Sequence, residues 1–146
     1  MDLTHIDEQG NARMVDVTGK AETVRRAVTY GEVHASPETI RKIADHELTK
    51  GDVLTVAKIA GIMAAKRTGD LIPMCHPISL THVEVDLKLD VDQGKVLITA
   101  SATASGKTGV EMEAMTAVSI AALTIYDMCK AVDRTITISS VMLVEK

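Results

Sequence analysis

The strongest constraint on the fold is a pair of strand-like segments, THVEVDLKLD at residues 81–90 and KVLITASA at residues 95–102. In the first segment apolar residues at every second position alternate with polar ones, which indicates a strand with one buried and one solvated face. The sequence DQG at residues 92–94 separates the two segments and is typical of a turn. The two segments therefore predict an antiparallel hairpin.

The rest of the chain divides into helix and strand patterns around this hairpin. Ser36 and Asp52 are predicted N-caps, because their side-chain oxygens can accept hydrogen bonds from free N–H groups of a first helical turn. Pro37 fits the first helical position. In chain order we predict a short strand in RMVDVTG (13–19), a strand in ETVRRAVTYGEVH (22–34) with an irregularity at Gly31, helices in SPETIRKIADHE (36–47) and GDVLTVAKIAGIMAAKRTG (51–69), the hairpin, a long helix over 110–132, and a last strand in TITISSVMLV (135–144).

This order of elements predicts an α+β fold of the ferredoxin-like kind, an antiparallel sheet packed against helices, as a single domain over residues 1–146. The long helix is apolar around nearly its whole circumference, so it needs burial on more than one side. One sheet covers only one side, and we therefore predict a homo-oligomer. The apolar stripe of the helix over 51–69 is predicted to comprise Val53, Val56, Ala57, Ala60, Met63 and Ala64.

The segment ASGKTGVEMEA, residues 104–114, resembles a phosphate-binding loop at first sight. A Walker A loop requires glycine five residues before Gly106, and Ser101 stands there instead. Thr108 and Glu111 have the spacing of a capping box, which predicts an ordinary helix start. Lys107 beside a helix N-terminus still favours an anion site.

The long helix carries a narrow polar strip. At ~100° per residue, Glu113, Thr116, Thr124 and Asp127 fall within a band of about 80°, with Lys130 on its flank. The strip indicates either a solvent-facing stripe or a lined cleft. Glu113 and Asp127 lie ~21 Å apart along the axis, so one small ligand cannot bridge both within one subunit. If both act on one ligand, we expect neighbouring subunits to assemble the site.

The segment RTGDLIPMCHPISL, residues 67–80, is apolar yet cannot be regular, because Pro73 and Pro77 exclude helix. Apolar irregular segments of this kind often line binding sites, and His76 is the candidate acid or hydrogen-bond donor. Cys75, His76 and His82 do not have the spacing of a metal site, so we predict no bound metal.

Composition excludes some function classes. A net charge of −4 and two tyrosines without Phe or Trp offer neither a basic face nor stacking platforms, which argues against nucleic-acid binding. Uninterrupted apolar runs fall short of the ~20 residues of a membrane span, and the N-terminus is not a signal peptide. Cys75 and Cys129 are isolated, as expected for a reducing compartment. We predict a cytoplasmic protein that binds neither membrane nor nucleic acid.

Three stretches that cover nearly the whole chain resemble the molybdenum cofactor biosynthesis protein C family, the cyclic pyranopterin monophosphate synthases. They are RMVDVTGKAETVR, KGDVLTVAKIAGIMAAKRTGDLIPMCHPISLTHVEVD and GKTGVEMEAMTAVSIAALTIYDMCKAV, within which LIPMCHP, GVEMEA and TIYDMCKAV are the most specific. The resemblance implies a ferredoxin-like subunit in a hexamer, a trimer of dimers, with sites at subunit interfaces. It implies a lyase that converts 3',8-cyclo-7,8-dihydro-GTP to cyclic pyranopterin monophosphate and releases pyrophosphate.

The resemblance also implies residue roles. The catalytic residues expected from it are Asp127, Lys130 and Lys50. From the chemistry of the reaction we add His76 and expect Lys130 to act as a proton shuttle oriented by Asp127. The expected substrate-binding residues are Met74, Cys75, His76, Met112, Glu113, Glu111, Arg25, Lys66 and Lys107. Because neighbouring cations lower the pKa of a lysine, we expect a crowded lysine to act as acid or base near neutral pH. No cofactor is implied, although a Mg²⁺ ion that accompanies the triphosphate stays open.

Two features depart from the family pattern. Met74 stands where the family often has Leu, a swap of similar volume. Many members continue into a Lys/Gly-rich tail beyond the position of Lys146. Two alternatives to the lyase also stay open, a phosphotransferase with a P-loop-like site and a non-catalytic ferredoxin-like nucleotide-binding module.

Overall fold

The computed structural model describes residues 4–146 and contains one four-stranded antiparallel sheet. The strand order is β2-β3-β1-β4, the ferredoxin-like arrangement that the order of elements predicts. The elements are β1 (Thr23–His34), α1 (Pro37–Ala44), α2 (Val53–Lys66), α3 (Thr68–Leu71), β2 (His82–Asp90), β3 (Lys95–Gly106), α4 (Glu111–Cys129) and β4 (Thr137–Glu145).

The β2–β3 hairpin is confirmed, with Asp90 opposite Lys95 and His82 opposite Thr103. Gly94 in its turn has φ of +65°, a conformation that glycine adopts without strain. The predicted irregularity at Gly31 is also confirmed, because the register between β1 and β4 shifts between Tyr30 and Glu32. The α+β fold predicted from the sequence is therefore correct.

The helices cover one face of the sheet, and α2 packs along α4 through small residues. A Cβ atom added at Gly61 would lie 2.9 Å from the carbonyl oxygen of Ala117, so the two backbones approach closely at this point. The predicted stripe on α2 is partly wrong, since Val56 and Met63 are 40% and 50% exposed. The contact is made instead by the buried face of α2, which comprises Val53, Ala57, Gly61, Ala64 and Ala65.

The predicted N-caps of two helices are confirmed. Ser36 accepts a hydrogen bond from the N–H of Thr39, and Asp52 accepts one from the N–H of Thr55. The predicted capping box of α4 is wrong: α4 begins at Glu111 and its N-cap, Val110, makes no side-chain hydrogen bond.

The local geometry explains the error at α4. The Thr108 hydroxyl donates to the carbonyl oxygen of Gly109, and the Glu111 carboxylate lies against Gly109. With Val110 as N-cap, Thr108 lies two residues before the cap and Glu111 is the first helical residue, so neither occupies its position in a capping box.

Two segments differ from the sequence-based expectation. RMVDVTG does not join the sheet as a strand; the only pairing before β1 in the described chain is a bridge between Ile6 and Ala12. The proline-containing segment 67–80 contains one helical turn, α3, which ends two residues before Pro73. Both segments lie against the candidate site described below.

The helix α4 has the length and mean hydropathy of a membrane span, although polar residues interrupt its apolar runs. Half of that window is buried inside the fold. The core helix of a globular protein has the same properties, and α4 packs against the sheet and α2.

Candidate active site

The residues singled out from the sequence fall into two clusters at opposite ends of α4. The N-terminal cluster surrounds the first turn of α4, and the C-terminal cluster surrounds its last turn. The 14 helical positions from Glu113 to Asp127 correspond to ~21 Å along the axis, as the sequence predicts.

The N-terminal cluster lines a cavity of about 270 Å³. The proline-containing segment forms one wall with Met74, Cys75 and His76, and the start of α4 forms another with Glu111, Met112 and Glu113. These six residues were all predicted to contact substrate, and the structure brings them together. The first turn of α4 therefore meets an irregular apolar segment at a concave surface, the usual setting of a ligand site.

Glu113 is the buried acid of this cavity, with 3% of the residue exposed. Burial raises the pKa of its carboxyl, and the neighbouring Glu111 raises it further. Burial likewise raises the pKa of the Cys75 thiol, with added contributions from Glu113 and Glu111. Glu113 is thus favoured as a proton donor, and Cys75 is favoured as a neutral thiol.

Cationic side chains border this cavity on two sides. Lys66 and Arg67 line a small cleft of about 70 Å³ that also reaches Glu113. Lys107 lines an adjacent cavity of about 430 Å³, which shares His76 and Thr108 with the first. His76 thus stands between the acidic cavity and the space beside Lys107.

Arg25 lies outside these cavities. Its Nε donates to the carbonyl oxygen of Gly106 at 3.3 Å, at the end of β3. The side chain is half-buried and holds the start of the loop that carries Lys107. Arg25 therefore supports the loop that carries Lys107 and does not line these cavities.

The N-terminal segment contributes residues that the sequence did not single out. Lys20, His5, Val15 and Val17 all line the 270 Å³ cavity. The side chains of Val15 and Val17 explain the strand-like pattern of RMVDVTG, because they face the cavity instead of a sheet core. That pattern could have indicated a cavity wall, whereas nothing local in the sequence singles out Lys20.

The C-terminal cluster consists of Lys50, Asp127 and Lys130. The Nζ of Lys130 lies 2.9 Å from Oδ1 of Asp127, and the Nζ of Lys50 lies 3.3 Å from Oδ2. Lys50 also donates to the backbone carbonyl oxygen of Asp127 at 3.1 Å. These contacts explain a lysine placed just before a helix N-terminus, for which the local sequence has no explanation.

The electrostatics of this cluster correct one expectation. Hydrogen bonds from Lys130 and then Lys50 lower the pKa of Asp127. The hydrogen bond to Asp127 and its negative charge raise the pKa of Lys130, whereas we expected crowding by cations to lower the pKa of a catalytic lysine. Lys130 is therefore held as an ammonium group, which suits it to stabilise negative charge.

The polar strip on α4 is not uniform. Glu113 and Thr116 are buried, and the Thr116 hydroxyl donates to the carbonyl oxygen of Met112. Asp127 is exposed. The strip is thus the wall of a cavity at one end and a solvated ion-pair cluster at the other.

Across residues 4–146, no group of three or more His, Cys, Asp or Glu side chains is arranged to hold a metal ion. Cys75 and Cys129 are free thiols. The lysines beside the cavities can bind phosphate groups, and Glu113 and His76 can transfer protons.

Comparison with known proteins gives a consistent result. Cyclic pyranopterin monophosphate synthase of Roseiflexus castenholzii is 61% identical over 145 residues, which cover 99% of this chain and 92% of that protein. The synthases of Thermoanaerobacter pseudethanolicus and Rhodospirillum rubrum are 57% and 56% identical; the matches cover 100% and 99% of this chain, and 92% and 87% of the relatives. The MoaC family matches residues 14–146, and the chain therefore belongs to that family.

Proposed function

We propose that this chain catalyses the cyclic pyranopterin monophosphate synthase reaction, a step of molybdenum cofactor biosynthesis. The substrate is 3',8-cyclo-7,8-dihydro-GTP, and the products are cyclic pyranopterin monophosphate and pyrophosphate. Similarity at 55–61% identity over nearly the full chain to relatives of that name carries this proposal. The enzyme is then a phosphorus–oxygen lyase.

The two clusters and the cavities beside them offer the two kinds of group that the reaction needs, cations for phosphate and groups that transfer protons. Expulsion of pyrophosphate develops negative charge on phosphate oxygens, which Lys107, Lys66 and Lys20 beside the cavities can stabilise. Rearrangement to a pterin needs proton transfers, for which Glu113, His76 and Lys130 are the candidates. The raised pKa of Glu113 favours it as a proton donor, whereas the raised pKa of Lys130 favours its ammonium form, which can stabilise negative charge.

The distance between the clusters supports a site shared by subunits. One triphosphate ligand held at Glu113 cannot reach Asp127 of the same α4, because ~21 Å of helix separates the two positions. We propose that the cluster of Lys50, Asp127 and Lys130 from one subunit completes the cavity of another. An exposed apolar face on α2 and α4, which includes Val56, Ile59, Met63 and Leu123, supports the prediction of a homo-oligomer.

The hexamer, a trimer of dimers, stays part of this proposal. Sedimentation at low micromolar concentration tests it, and a monomer alone would contradict the shared site. We also propose that the enzyme is cytoplasmic and has no resident metal. Full activity after treatment with a chelator would support the absence of a resident metal. A loss of activity that Mg²⁺ restores would indicate a metal that accompanies the triphosphate.

Turnover of the cyclised GTP intermediate is the direct test of the function. The purified protein is incubated with this intermediate, and pyrophosphate and the fluorescent oxidised pterin are measured together. We expect equimolar pyrophosphate and pterin. Binding without turnover would favour the non-catalytic nucleotide-binding module, and Mg²⁺-dependent hydrolysis of ATP or GTP would favour the phosphotransferase.

A further inference from the structure

Asp133 lies just beyond the C-terminal end of α4, and only 8% of the residue is exposed. Its Oδ2 accepts hydrogen bonds from the backbone N–H of Ser36 and the hydroxyl of Thr39, both at 2.9 Å. Its Oδ1 accepts hydrogen bonds from the N–H and hydroxyl of Thr135 at 2.8 and 2.6 Å. Burial alone would raise the pKa of Asp133, but these four hydrogen bonds outweigh it and hold the pKa far below its ordinary value.

These contacts join the turn after α4 to the start of α1. Lys130 lies within that turn, whose N–H groups at Val132 and Asp133 both donate to the carbonyl oxygen of Cys129. The turn is therefore fixed at one end by the helix and at the other by the Asp133 carboxylate.

The chain that follows α1 returns to α4 through Lys50. Leu48 anchors it in the core, and the Nζ of Lys50 then reaches Asp127. Two contacts thus tie the segment 36–50 to the C-terminal end of α4, one from Asp133 and one from Asp127. A shift of α1 relative to the turn would change the distances from Lys50 and Lys130 to Asp127.

The N-cap of α1 is Ser36 and not Asp133. Ser36 already caps the helix through its own side chain, whose oxygen accepts from the N–H of Thr39 at 3.2 Å. A buried carboxylate is costly unless all its hydrogen bonds are made, so its use here suggests a role in fixing geometry. We propose that Asp133 is a positioning residue, which holds Lys50 and Lys130 in place around Asp127 for the proposed lyase reaction.

Two substitutions distinguish the hydrogen bonds that Asp133 accepts from α1 from those that it accepts within its own turn. Thr39→Val removes one hydroxyl that links Asp133 to α1, and Thr135→Val removes one hydroxyl that binds the same carboxylate locally. Asp133→Asn weakens both sides. Each variant is assayed for kcat and KM under conditions in which circular dichroism shows it to be folded.

A second readout does not depend on turnover. Proteins labelled with ¹³C at the lysine ε-carbon are titrated, and the Lys130 signal is assigned by its absence in Lys130→Arg. The charged and polar groups around Lys130 are the Asp127 carboxylate, the Lys50 ammonium that shares it, and the Tyr126 hydroxyl. Loosening the Asp127 contact should lower the titration midpoint of Lys130.

For Thr39→Val and Asp133→Asn we expect kcat to fall ~10-fold with KM within ~2-fold of wild type, since small displacements of positioned groups reduce the rate of the chemical step. The Lys130 midpoint should fall in the same two variants and stay unchanged in Thr135→Val. An unchanged midpoint in folded Thr39→Val and Asp133→Asn would overturn the positioning role. An inactive wild type with the midpoint shifts present would instead refute the proposed function.

Discussion

Lys50 and Asp127 are 77 positions apart in the chain, yet the Nζ of Lys50 lies 3.1 Å from the Asp127 carbonyl oxygen and 3.3 Å from its Oδ2. The same carboxylate lies 2.9 Å from the Nζ of Lys130. One acidic group therefore orders two ammonium groups at the end of α4. The arrangement explains why the pKa of Lys130 is raised and that of Asp127 is lowered.

Asp127→Asn should reduce activity while leaving the fold intact. Loss of the negative charge removes the cause of the raised Lys130 pKa and leaves Lys50 with its bond to the backbone carbonyl oxygen of residue 127, so we expect kcat to fall by about 10²–10³. Steady-state kinetics on the cyclised GTP intermediate measures this loss. Glu38→Gln is the matched control, since it removes the exposed carboxylate that pairs with Lys42. Wild-type kcat in Asp127→Asn would contradict the role of the cluster.

Glu113→Gln should stabilise the protein while it inactivates the enzyme. Burial raises the folded-state pKa above the unfolded value of ~4.3, so the charged carboxylate destabilises the fold as pH rises through that value. We expect a gain of about 0.5–2 kcal/mol in the free energy of unfolding at pH 7. The gain should vanish below about pH 4.

We expect Glu113→Gln to lower kcat by about 10²–10³-fold, since the substitution removes a proton donor. Denaturant melts at several pH values and steady-state kinetics measure the two effects. Glu84→Gln, which removes an exposed carboxylate on β2, should change neither. A destabilised but fully active Glu113→Gln enzyme would show that the carboxylate is structural.

Gly61→Ala should destabilise the fold although alanine is the better helix former. The added Cβ would lie 2.9 Å from the Ala117 carbonyl oxygen and would push α2 away from α4. We expect a loss of about 1–3 kcal/mol in chemical denaturation. Gly19→Ala, where nothing lies within 4 Å of the added atom, is the control. Stabilisation by Gly61→Ala would mean that the helices are not packed this closely.

The stability contribution of Asp133 should depend on pH in the opposite sense to that of Glu113. Its folded-state pKa is depressed, so the stabilisation is present above the unfolded value of ~3.9 and is lost as pH falls below it. The gap in unfolding free energy between wild type and Asp133→Asn should be largest above pH 4 and close in stronger acid. A gap that is the same at pH 3 and pH 7 would exclude this linkage.

Much of the fold followed from local patterns. The alternation over 81–90 and the caps at Ser36 and Asp52 fixed the hairpin and two helix starts, because each depends only on near neighbours. The α2 stripe failed because tight packing on α4 selects small residues such as Gly61, which hydrophobicity does not reveal. The α4 capping box failed because the helix begins at Glu111, two residues later than an N-cap at Thr108 requires.

The site was predictable in its residues but not in its geometry. MCH and EME, which the sequence singles out, line one cavity. Their roles in contacting substrate stay predictions. The ion pair between Lys50 and Asp127 and the buried carboxylate of Asp133 link segments far apart in the chain, and no local pattern reports such contacts. Lys20 is recognised as a candidate site residue only in the structure, where the N-terminal segment lies along the cavity.

In the proposed shared site, Glu113 of one subunit and Lys50 of another act on one substrate. Lys50→Ala and Glu113→Gln subunits are each prepared alone and then mixed under conditions of subunit exchange, with wild type mixed into either variant as the control for exchange. We predict that both variants alone are nearly inactive and that the mixture recovers synthase activity, because some sites then combine an intact Lys50 with an intact Glu113. A mixture as inactive as its parents, with exchange demonstrated, would contradict the shared site.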